Sequence, residues 1–185
     1  MSLIPILDAH SATEASREKL EAARKAFGFV PNLYGALAHS PAALQAYQTL
    51  AELFGQTSLS PDERHVVHLT VSRLNLCHYC MAAHSAIASM TGASEDLVAA
   101  LRSGAPLPDS RLEALRTFTG KLVQKRGWLE DGDVQAFLAA GFGQQQVLEV
   151  VLGVTQKTLS NYANHLAGTP VDAAFAQFTW KDPSA

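Results

Sequence analysis

Serine followed by proline occurs at Ser40-Pro41 and again at Ser60-Pro61. A serine cap with proline at the first helical position starts an α-helix, because proline's missing N–H is one the helix leaves unpaired anyway. In Ser60-Pro61-Asp62-Glu63 the glutamate stands where it can bond back to the cap, a capping box. Ser11-Ala12-Thr13-Glu14 has the same outline and predicts a helix ending at Phe27, with Gly28 as its stop. Strand signals are almost absent, so the punctuation restricts the chain to an all-α fold.

The spacing predicts further helices. One carries Leu44, Tyr47, Leu50 and Phe54, and the next carries Val66, Val67, Leu69 and Leu74 up to Asn75, a left-handed C-cap. Another starts at about Cys77 and lasts to about Met90, and Ser94 opens a short one. Beyond the loop Gly104-Ala105-Pro106-Leu107-Pro108, helices are expected at about 110–126, 131–140 and 144–167. At 185 residues the expectation is a single compact multi-helix domain over 1–185, with its core motif in 60–102. Residues 60–84 and 143–167 share an outline that places Asn161 and Asn164 where Cys77 and Cys80 stand, which predicts an internal helical repeat.

The chain has 48% hydrophobic and 17% charged residues and a formal net charge of −3. That balance gives no sign of a nucleic-acid or anionic-membrane surface, and it suits either a large core or a buried interface between copies. The N-terminus lacks the basic and apolar regions of a signal peptide, so a cytoplasmic location is expected.

The two cysteines, Cys77 and Cys80, stand in a C-x-x-C followed by His84. Offsets of three and four put all three on one helix face. In a reducing compartment such a pair reads as redox-active or metal-binding rather than as a structural staple. A thiolate is needed for nucleophilic attack, and a helix N-terminus and a neighbouring histidine both favour it. Two other readings stand beside this one: buried core cysteines, or a zinc site completed by His65, His68 or water, although structural zinc ordinarily takes four ligands. No cofactor or metal is expected. His78, Tyr79, Met81, Asn164 and His165 are compatible with packing or with the margin of a site.

The run Ser60-Pro61-Asp62-Glu63-Arg64 through Asn75-x-Cys77-x-Tyr79-Cys80-x-x-x-His84 resembles the core of the carboxymuconolactone decarboxylase / alkyl hydroperoxidase D-like family. Val30-Pro31-Asn32-Leu33-Tyr34, Ser40-Pro41-Ala42 and Asn161-Tyr162-x-Asn164-His165 resemble its peroxidase-related branch. The resemblance implies a helical protein that assembles into trimers or hexamers, with a dimer as the smaller alternative. It implies a thiol-dependent peroxidase or disulfide reductase, with a small-molecule hydroperoxide and an external dithiol as partners. Cys80 would be attacked by peroxide, Cys77 would resolve, and His84 would belong to a proton relay. The family completes that relay with a glutamate twelve residues before the first cysteine, where this chain has His65. His65, Glu63 or, through the repeat, Glu149 are the candidates to replace it. The competing functions are a decarboxylase acting on a carboxylated lactone and a non-catalytic redox-sensing oligomer.

Overall fold

The computed structural model describes residues 3–182. Its helices are α1 (Glu14–Phe27), α2 (Asn32–Leu37), α3 (Pro41–Gly55), α4 (Pro61–Leu74), α5 (His78–Met90), α6 (Glu95–Ser103), α7 (Ser110–Gln124), α8 (Asp131–Ala139) and α9 (Gln144–Ala167). A 3-10 segment, Ala173–Phe178, follows. Among the described residues there is no strand, and no single helix is long and apolar enough to cross a membrane.

Local chemistry sets most of these boundaries. The Ser40 and Ser94 side chains accept the N–H of Ala43 and Leu97. Ser60 and Glu63 make both bonds of the expected capping box, at 3.2 and 2.8 Å. Two boundaries differ from expectation. Thr13 rather than Ser11 caps α1, without a side-chain bond, because Ser11 donates to Asp8 Oδ1 at 2.7 Å in a turn of its own. The left-handed residue after α4 is Leu76, at φ 54°, not Asn75. Asn75 is instead engaged across the protein, donating from Nδ2 to Asn161 Oδ1 at 2.9 Å.

Helix α4 is the central element, packed on α5, α7 and α9. On one side, Val66, Leu69, Leu115, Phe118, Phe137 and Phe142 belong to one apolar cluster. On the other, Leu20, Leu33, Leu44 and Tyr47 pack with Cys77, Tyr79 and Cys80. Gly153 lets α9 approach closely: a Cβ there would lie 2.6 Å from Phe54 and 2.8 Å from Val67. The 3-10 segment packs on α5, tied by bonds from Arg102 to the Phe178 and Thr179 carbonyls at 2.9 and 3.0 Å.

Candidate active site

Cys77 is the N-cap of α5, and Cys80 lies in its first turn. The unpaired N–H groups of that turn favour negative charge there. Both thiols are free and buried. Helix α9 crosses this turn and presents the other half of the repeat outline. Asn164 donates from Nδ2 to Cys80 Sγ at 3.2 Å and lies 3.8 Å from Cys77 Sγ. Ser160 Oγ is 3.7 Å from Cys80 Sγ.

The residue that sequence reasoning missed is Lys157. It is completely buried, and it donates from Nζ to His84 Nε2 at 2.7 Å. Its charge also acts on Cys80, favouring the thiolate. His84 therefore meets Lys157 rather than Cys80, and the lysine stands between base and thiol. One signal pointed there. Gly153, Lys157, Ser160, Asn161 and Asn164 fall on one buried face of α9, and a lone cation amid small and amide residues is out of place in a core.

Electrostatics separate the two thiols. Burial opposes the Cys80 thiolate, but the Cys77 hydrogen bond, the Lys157 charge and the Ser160 hydrogen bond outweigh it. Cys80 is held well below the usual thiol range. Cys77 is pushed up, first by its hydrogen bond to Cys80, then by burial and the Cys80 charge. His84 is driven well below its ordinary value by burial, Lys157 and the neighbouring histidines. It is a neutral ring whose Nε2 accepts from the lysine.

The other candidates are dispersed around this centre. His65 bonds through Nε2 to Thr91 Oγ1 at 2.9 Å, and burial lowers its pKa. It does not touch His84. His68 does, with ring centroids 4.4 Å apart, while its Nε2 meets Gln156 Oε1 at 2.9 Å. Glu63 has one carboxylate oxygen on the Ser60 N–H and the other on Arg111 Nε at 2.9 Å, so its carboxylate is committed to the start of α4. Glu149 binds the Ser58 N–H and hydroxyl at 2.9 and 2.7 Å. Asn164 of α9 does meet the thiols of α5, but Glu149 lies more than three turns back along α9 and returns no carboxylate to them. Tyr79 donates to Asp172 Oδ2 at 2.6 Å, His78 meets the Trp180 carbonyl at 3.0 Å, and His165 is exposed.

Two cavities flank His84. One, of about 330 Å³, reaches Cys80 and Lys157 between aromatic walls that include Phe29, Tyr34, Tyr47 and Phe175. The other, of about 440 Å³, is lined by His65, His68 and Arg64. Neither lining contains a carboxylate. Among the described residues no group of three or more His, Cys, Asp or Glu is arranged to hold a metal ion.

Residues 41–118 match the model of the carboxymuconolactone decarboxylase family. A peroxidase-related protein from Ralstonia eutropha, described as an alkylhydroperoxidase AhpD core, superimposes with a TM-score of 0.83 at 22% identity, over 94% of each chain. The fold is AhpD-like. A peroxidase-related protein from Silicibacter sp. gives 0.79 at 22% identity, covering 94% of this chain and 92% of that one. The debrominase Bmp8, solved both alone and as a cysteine-to-alanine variant with 2,3,4-tribromopyrrole, shares the AhpD-like fold at 0.78 and 15% identity over 96% of each chain. No curated protein matches the sequence. At these identities the likeness establishes the AhpD-like fold, on which more than one chemistry is represented.

Proposed function

We propose that the chain is a thiol-dependent peroxidase or disulfide reductase that uses Cys80 as the attacking thiol and Cys77 as the resolving one. The observation that carries this is the setting of Cys80: it lies in the first turn of α5, with Asn164 Nδ2 at 3.2 Å, Ser160 Oγ at 3.7 Å and the buried Lys157 charge beside it, all of which favour its thiolate. In the proposed cycle Cys80 starts as a thiolate beside the Lys157 ammonium. The thiolate attacks the terminal oxygen of a hydroperoxide, the O–O bond breaks, and the departing alkoxide is protonated by the Lys157 ammonium, which regains a proton from Cys80 when the pair is reduced again. The Cys80 sulfenic acid is then attacked by the Cys77 thiol. Water leaves and a disulfide forms. An external dithiol restores both thiols by exchange. Once Cys80 is no longer a thiolate, the main cause that keeps Cys77 protonated is gone, so the resolving step is favoured by the first.

The aromatic cavity suits an organic hydroperoxide with an apolar tail. In this reading the dithiol reductant approaches from the same side, and the protein works in the cytoplasm as a homo-oligomer. An exposed apolar row on α9, with Leu148 at 70%, Tyr162 at 56% and Leu166 at 72% exposure, supports contact between copies. The test is hydroperoxide consumption with a dithiol reductant. Wild type consumes peroxide and Cys80→Ser does not; equal rates in the two would overturn the assignment.

A further inference from the structure

A third cavity, of about 270 Å³, lies between α4 and α7, and the thiol chemistry does not use it. Thr70 and Arg73, one turn apart on α4, share its lining with Arg116 and Lys121 of α7, and Gly104 lines it as well. The lining holds three cations and no carboxylate. Two of the cations are already paired: Arg116 with Glu113 and Lys121 with Asp133, each at 2.5 Å. Arg73 has no acidic partner among the described residues; its Nη2 donates to the Ser103 carbonyl at 3.0 Å.

Two donors at this cavity are buried and satisfied by nothing: Arg73 Nε and Thr70 Oγ1. Thr70 is only 7% exposed. A buried donor without a partner is costly, and here two of them adjoin one cavity with an unpaired positive charge. The backbone makes room for the guanidinium. Gly104 adopts φ +79°, and a Cβ there would come within 2.4 Å of Arg73 Cζ.

We propose that this cavity is a binding site for a small oxyanion, held by Arg73 and the Thr70 hydroxyl with Arg116 and Lys121 adding positive field. Planar guanidinium donors and a hydroxyl match oxyanion geometry. The site is independent of the thiols. Calorimetric titration of the full-length protein with inorganic phosphate at low salt tests it. Saturable binding with a dissociation constant of about 1 mM or tighter is expected for wild type. Arg73→Gln weakens it about tenfold or more, and Thr70→Val by about threefold, with the thermal midpoint of Thr70→Val unchanged or raised because an unsatisfied hydroxyl is removed. Hydroperoxide consumption by Thr70→Val stays at the wild-type level. Absence of saturable binding to wild type, or wild-type affinity in Thr70→Val, overturns the proposal.

Discussion

Lys157 decides how the thiol pair divides its labour. A fully buried lysine is costly unless its charge is used, and here it bonds a neutral histidine and acts on the Cys80 thiolate rather than on a carboxylate. Lys157→Met keeps the length and removes the charge. The Cys80 thiolate should then appear only at higher pH, followed by its ultraviolet absorbance, and peroxide reactivity at neutral pH should fall about 10- to 100-fold. The same variant should be about 1–3 kcal/mol more stable to denaturant, because an apolar side chain replaces a buried charge. Unchanged thiolate titration would mean that Cys77 and the helix N-terminus suffice without the lysine. The sequence made Cys77, Cys80 and His84 legible as one helical face, since their spacing is local. Lys157 was not legible, because its bond to His84 spans 73 residues and only the packing of α9 on α5 creates it.

At the scale of elements, the serine caps at Ser40, Ser60 and Ser94 were read correctly, each accepting the N–H three residues on. Ser11 escaped because Asp8, outside the expected helix, competes for it. Leu76 escaped because asparagine is the better left-handed residue, but Asn75 is drawn to Asn161. A leucine at φ 54° costs about 1–2 kcal/mol relative to a tolerant residue. Leu76→Asn should therefore raise stability by about 0.5–1 kcal/mol, read as a higher denaturant midpoint at unchanged slope. Gly153 works the other way. Although alanine is the better helix former by about 1 kcal/mol, Gly153→Ala presses on Phe54 and Val67 and should cost about 1–3 kcal/mol net. It should also slow peroxide turnover, because Lys157 lies one turn further along the displaced helix.

At the scale of the whole molecule, buried neutral histidines link the fold to pH. His84 and His68 are both held well below their ordinary value, chiefly by burial. Their folded forms stay neutral where the unfolded chain takes up protons. Stability is therefore fully present above about pH 6.5 and declines as pH falls below that value, by about 1–3 kcal/mol per pH unit for the two together. Urea unfolding at pH 7.5, 6.5 and 5.5 reads this directly; a flat profile would contradict the buried-histidine arrangement. The all-α fold was legible from capping and periodicity alone. The contact of the Asn164 amide of α9 with the thiols of α5 required the three-dimensional structure.

The most direct test of the thiol cycle is mass spectrometry after one equivalent of an organic hydroperoxide. Wild type should form a Cys77–Cys80 disulfide, and Cys77→Ser should instead carry a sulfenic acid on Cys80 that a sulfenic-acid trap labels. Labelling of Cys77 in a Cys80→Ser protein at a comparable rate, or no oxidation of either thiol in wild type, would contradict the account.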